Sequence, residues 1–146
     1  GGKNIAPLVI EETMKSIPIV SQSFLVGDGR KFCSALFTLD AGAILRDKLG
    51  MDPNEVPKDP VGQSAKLKEL GHTFEEYTTS EEVRTEVQSQ VDELNQQFSS
   101  PEQVKKFSIL PRDFTIDDGE LTPTLKIRRK QISTNWSDQI EAMYAE

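Results

Sequence analysis

The chain has 146 residues, 36% of them hydrophobic and 28% charged, with a formal net charge of −7 at neutral pH. That length fits one domain able to bury roughly 70% of the surface its unfolded form exposes, and no run reaches the ~18 consecutive apolar residues of a membrane span. The acidic balance argues against a general nucleic-acid binder, which shows as a basic domain, but leaves room for a local anion site. The chain opens with a loop-like GGKNIAP and no initiator Met, and we expect the C-terminal part of a larger protein. Pro7 is placed as a first helical residue, so residues 8–16 read as a short helix with Glu11 and Glu12 near its positive end, stopped by Pro18. Residues 19–26 read as a strand, Gly27-Asp28-Gly29-Arg30 as a tight turn, and residues 31–39 as the return strand. Both faces of the return strand are apolar, Phe32 and Leu36 on one, Cys33, Phe37 and Leu39 on the other. This predicts a central strand covered on both sides.

Residues 40–79 read as an irregular insertion: a short helix ended by Gly50, a loop with three prolines, and a helical turn or two around residues 64–71. Thr79 and Glu82 have the spacing of a capping box. Val83, Val87, Val91, Leu94 and Phe98 then recur at helical spacing and predict an amphipathic helix of about five turns. Residues 106–110 read as a strand closed by Pro111, and residues 117–120 as a turn. Ile132, Trp136, Ile140 and Met143 or Tyr144 predict one final docked helix with Trp136 in the core. The sum is an α+β fold, a small hairpin-based sheet with packed helices. Cys33 is the lone cysteine and reads as a small buried hydrophobe in a reducing, cytoplasmic protein. His72, the lone histidine, lies in the irregular middle and carries no catalytic role.

The segment that points to chemistry is GELTPTLKIRRK, residues 119–130. Lys126, Arg128, Arg129 and Lys130 put four positive charges within five residues of an acidic chain, directly after a Thr-Pro-Thr turn. An ammonium on a flexible stem is suited to reaching into a neighbouring cavity and meeting phosphate or carboxylate oxygens. The two arginines fall on different faces of the coming helix, so the four cations cannot serve one site. Cations at a helix N-terminus are also locally unfavourable, a conflict of the kind that accompanies function. The plainer alternative is a solvated charge cluster.

GELTPTLKIRRK resembles the C-terminal lysine motif of adenylate-forming enzymes, the acyl-CoA synthetase and luciferase superfamily. The common form there is Pro-Lys-Thr-x-x-Gly-Lys-Ile-x-Arg, and Leu125 stands where that form has Gly. The Gly-Glu-Leu-Thr-Pro-Thr-Leu-Lys version, and the whole block 107–130, is similar instead to the long-chain fatty acyl-CoA synthetases, the bubblegum-type and related bacterial enzymes among them. At the other end GGKNIAPLVIEE resembles the segment after the interdomain hinge, Gly-Gly-Glu-Asn-Val-x-Pro-x-x-Ile-Glu, with Lys3 for the usual Glu. The hairpin SFLVGDGRKFCSALFTLD and the ending QIEAMYAE also fit, and the resemblance is weak only over residues 41–79.

The resemblance implies that residues 1–146 form one C-terminal cap domain of a larger ligase whose N-terminal adenylation domain holds ATP and the fatty acid. It implies activation of a long-chain fatty acid to acyl-AMP, then thioester formation with CoA, the cap rotating between steps. Lys126 is then the catalytic lysine of the first step, and Gly1 and Gly2 belong to the loop that lines the pantetheine path in the second. Arg128, Arg129 and Lys130 are candidates for steering CoA phosphates, with a surface salt bridge the plainer role for each. ATP, Mg²⁺ and CoA are implied for the complete enzyme, none of them bound to this part and no metal ligand within it. The isolated chain is accordingly expected to be inactive. Its implied partner is its own adenylation domain. Localisation is expected to be cytoplasmic, any peripheral membrane contact falling to that other domain. The competing reading is a free-standing anion-binding or protein-interaction module that kept the fold without catalysis.

Overall fold

The computed structural model describes residues 6–145. Its centre is a three-stranded mixed sheet of β1 (Val20–Val26), β2 (Cys33–Leu39) and β3 (Val104–Ile109), in that spatial order. The β1–β2 pair is the expected antiparallel hairpin. β3 lies parallel to β2 on its other side. A parallel neighbour needs a long crossover, and residues 40–103 supply it. The middle strand β2 is buried along its entire length, as its two apolar faces predict.

Each face of the sheet carries its own core. On one, Ala35, Phe37 and Leu39 pack with Ile10 and Met14 of α1 (Pro7–Met14) and with Val83, Val87 and Val91 of α5 (Glu81–Asn95). On the other, Phe24 and Leu36 pack with Leu110, Phe114, Ile132, Trp136 and Ile140. Cys33 is buried on the first face, and burial pushes its thiol pKa up. Pro7 opens α1 at its first turn, where the missing N–H costs nothing.

Three sequence expectations are corrected. Residues 40–79 carry the two helical segments expected of them, α2 (Ala41–Ala43) continuing as a wider turn over Ile44–Lys48 and α3 (Pro60–Glu69), and beyond them α4 (Phe74–Thr78). Pro60 is not a loop residue here but the first residue of α3, with the Asp59 carboxylate accepting from the Gly62 N–H at 2.8 Å. Ile44, Leu45, Leu67 and Tyr77 bury themselves in the first core. Second, the Thr79/Glu82 capping box does not form. Ser80 caps α5 by accepting from the Val83 N–H, while the Thr79 hydroxyl donates back to the Glu75 carbonyl. The helix ends at Asn95, and Phe98 packs on the core from beyond it. Third, the final helix is two, α6 (Arg129–Asn135) and α7 (Ser137–Tyr144), broken at Trp136 with φ −114° and ψ 24°.

Candidate functional site

After β3 the chain runs through residues 110–119 and enters a small hairpin that presents the lysine. Asp113 anchors the approach: its carboxylate accepts from Ser21 and Thr38 of the sheet, both at 2.7 Å, and from the Phe114 N–H. The turn expected at 117–120 forms, with Gly119 at φ +75°. Three rungs then build the hairpin. The Arg128 N–H donates to the Glu120 carbonyl at 2.8 Å, Leu121 pairs with Ile127, and the Thr122 N–H donates to the Lys126 carbonyl at 2.8 Å. Pro123, Thr124 and Leu125 make the tip. The Leu125 N–H closes it on the Thr122 carbonyl, and the Thr122 hydroxyl accepts from the Lys126 N–H at 3.0 Å.

Leu125 sits at φ +67°, the sole non-glycine residue with positive φ among the described residues. A three-residue hairpin loop of this kind ends in a left-handed residue, ordinarily Gly. The place where the common form of the lysine motif has Gly is thus the place where the backbone asks for it. Lys126 follows on the return arm, with its side chain exposed. Among the described residues its ammonium has no hydrogen-bond or ion-pair partner. It is a cation fixed at its root and free at its tip.

The base of the hairpin holds a buried carboxylate. Glu120 is 0% exposed. It accepts two hydrogen bonds from the Arg112 guanidinium, at 2.8 and 2.9 Å, one from the Thr115 N–H, one from Asn135 Nδ2 and one from Trp136 Nε1 at 2.8 Å. Burial alone would push its carboxyl up. The hydrogen bonds from Arg112, Asn135 and Thr115 outweigh that and hold it below the ordinary value. Arg112 lies over the Trp136 ring at 4.8 Å. A second buried carboxylate takes up part of the basic cluster. Glu11, on the inner face of α1, accepts from the Leu25 N–H and pairs in a two-pronged contact with Arg129 at 2.5 and 2.8 Å. Arg129 begins α6, so the conflict of a cation at a helix start is relieved by an anion from another element.

The structure therefore separates the candidate residues. Lys126 and Arg128 stand exposed on the hairpin arm. Arg129 is engaged by Glu11. Lys130 lines an open cleft of about 1330 Å³ together with Pro7, Arg30, Lys31 and Lys105. Arg30 is paired with Glu141 at 2.7 Å and lies over the Tyr144 ring. Gly1 and Gly2 lie outside the described residues. His72 bonds Glu76 one helical turn on. Sequence reasoning missed Glu120, Glu11 and Arg112. The one signal available for Glu120 was its place inside the motif itself.

The site is thus an exposed lysine on a rooted hairpin, carried by an α+β fold. The chain belongs to the family of AMP-binding enzyme C-terminal domains, whose model matches residues 69–146. It is 35% identical over 144 residues to the long-chain-fatty-acid–CoA ligase FadD15 of Mycobacterium tuberculosis, covering 99% of this chain and 22% of that protein. To the long-chain-fatty-acid–CoA ligase ACSBG2 of Gallus gallus it is 31% identical over 150 residues, covering 100% of this chain and 19% of the relative. The chain thus spans about a fifth of the length of these relatives. Its fold is similar to the A domain of the carboxylic acid reductase of Segniliparus rugosus, solved with AMP and a co-purified carboxylic acid. The TM-score is 0.65 at 19% identity, over 98% of this chain and 18% of that one. The A domain of the carboxylate reductase of Mycobacterium chelonae is similar at a TM-score of 0.63 and 18% identity, over 97% of this chain and 18% of that one. Among the described residues no helix is long and apolar enough to cross a membrane.

Proposed function

We propose that this domain serves a long-chain fatty acid–CoA ligase, and that Lys126 is its catalytic residue in the adenylation step. The observation that supports this most is the rooted hairpin that carries an exposed lysine whose ammonium has no partner among the described residues. In that step a fatty acid carboxylate attacks the α-phosphorus of ATP, and pyrophosphate leaves. Two anions must approach, and further negative charge gathers on the α-phosphoryl oxygens in the transition state. A positioned cation offsets both, and losing one such donor costs about 100- to 1000-fold in rate.

The second step, attack of CoA thiolate on acyl-AMP, is assigned to the opposite end of the chain. Gly1 and Gly2 lack a Cβ and let the backbone approach a threading pantetheine arm. Lys130 and the basic walls of the adjoining cleft offer cations to the CoA phosphates. Among the described residues no cluster of His, Cys, Asp or Glu is placed to hold a metal ion. Mg²⁺, implied for the complete enzyme, is held chiefly by substrate phosphates and one or two carboxylates, and no step is assigned to it here.

The test is made on the full-length enzyme, each half-reaction by single turnover. Lys126→Ala is expected to cut adenylation about 100-fold or more while sparing thioester formation from supplied acyl-AMP. Gly2→Leu is expected to do the reverse. Equal losses in both half-reactions for Lys126→Ala would point to a fold defect and overturn the assignment.

A further inference from the structure

We propose that Glu120 is a positioning residue for Lys126, resting on the adenylation role given to that lysine. The link is physical and short. Glu120 forms the first rung of the ladder through its carbonyl and the Arg128 N–H, Leu121 and Ile127 form the second, and Lys126 closes the third through its own carbonyl. The Glu120 side chain fastens the first rung to three separate places: Arg112 and Thr115 after β3, Asn135 at the end of α6, and Trp136 at the α6–α7 break. Apart from this carboxylate, the hairpin is held by backbone bonds from the Glu120 and Leu121 N–H groups to the Thr115 carbonyl, by Arg129 on Glu11 just past its end, and by apolar contact of Leu121 and Ile127 with the second core. Apolar contact is not directional. Five hydrogen bonds to one carboxylate are, and they fix both the height and the rotation of the arm that carries Lys126.

Stability alone does not account for this arrangement. Replacing a buried ionic group by apolar side chains of like volume is often neutral or stabilising. A buried carboxylate with every lone pair engaged is instead suited to specifying one geometry. Adenylation needs that geometry, since a displacement of about 1 Å can cost on the order of 100-fold. Thioester formation is assigned to Gly1, Gly2 and the cleft beside Lys130, and does not call on Lys126.

The experiment is a double-mutant cycle in the full-length enzyme, with adenylation and CoA transfer measured separately. Glu120→Gln keeps the shape but turns an amide N–H₂ toward donors, so the network must break on one side. It is expected to lower adenylation kcat ~10- to 100-fold with little change in KM for ATP, and to leave transfer from supplied acyl-AMP within about twofold. In a Lys126→Ala background it should add almost nothing, because residues acting as a unit are not additive. Trp136→Phe removes one donor to Glu120 and keeps an aromatic ring in the core. It is expected to show the same pattern at ~3- to 10-fold, and carries the test if Glu120→Gln does not fold. Glu120→Asp, which retains the charge, should recover part of the loss.

Multiplicative losses in the double variant, unchanged adenylation in both Glu120→Gln and Trp136→Phe, or equal losses in the two half-reactions would each overturn the proposal. A harmless Lys126→Ala would sink the adenylation reading beneath it, and is recognisable because it does not depend on any change at Glu120.

Discussion

Leu125 offers a prediction in which removing a side chain stabilises the fold. At φ +67° an L-residue brings its Cβ against the following carbonyl, at a cost of about 1–2 kcal/mol. Leu125→Gly removes that cost. Glycine loses more backbone entropy on folding, about 0.5–1 kcal/mol. Little burial is forfeited, because Leu125 is 62% exposed. The balance is a gain of roughly 0.5–1 kcal/mol. Unfolding entropies near 2.1 cal/mol/K per residue give about 300 cal/mol/K for 146 residues, so Tm should rise by about 2–3 °C. Leu125→Val should move the other way, since a β-branched side chain fits the left-handed region worst. Thermal unfolding followed by circular dichroism reads both. An unchanged or lower Tm for Leu125→Gly would refute the reasoning, and would mean that the Leu side chain makes compensating contacts.

Three further outcomes follow from the same structure. The Cys33 thiol is buried and its pKa is raised by that burial, so aromatic disulfide reagents should label it only at the rate of unfolding; fast stoichiometric labelling of native protein would contradict the packing. Arg129→Ala leaves the buried Glu11 carboxylate, among the described residues, with only the Leu25 N–H and should destabilise by about 3 kcal/mol, whereas exposed Lys130→Ala should stay within about 0.5 kcal/mol, a contrast that urea titration resolves. The Glu120 carboxyl lies below its ordinary value of 4.5 in the folded state. Its stabilisation is therefore fully present above that value and lost as pH falls through the lower folded one. Acid unfolding should be less steep in Glu120→Gln than in the parent, and identical profiles would show that Glu120 is not ionised in the fold.

How far the sequence could be read divides along the range of the interactions. The helix start at Pro7, the Asp-Gly hairpin and the valine stripe of α5 are set by residues within a few positions of each other. Each appears in the structure close to where its pattern places it. The α6–α7 break escapes because it preserves the pattern. The Trp136 N–H still reaches the Ile132 carbonyl, and the Ile140 N–H still reaches that of Trp136, so an i, i+4 apolar repeat crosses the break unchanged. The Thr79 cap misleads by one residue because Thr79 and Ser80 both qualify, and only the preceding turn decides, by engaging the Thr79 hydroxyl first. The prolines of residues 53–60 read as loop because a proline that begins a helix and one that prevents it look alike until the cap before it is known to engage. The lysine is legible from its motif, and its rigidity is not. Glu120 looks like one more charge in an acidic turn, and what makes it different is the arrival of Arg112, Asn135 and Trp136 from both sides. The contacts from Asn135 and Trp136 require α6 in place, and its Ile132 packs in the second core with Leu36 of β2, so the geometry of the presented lysine depends on the same apolar face that holds the domain together. A substitution in that second core, Ile132→Ala for example, should accordingly disturb adenylation before it unfolds the chain.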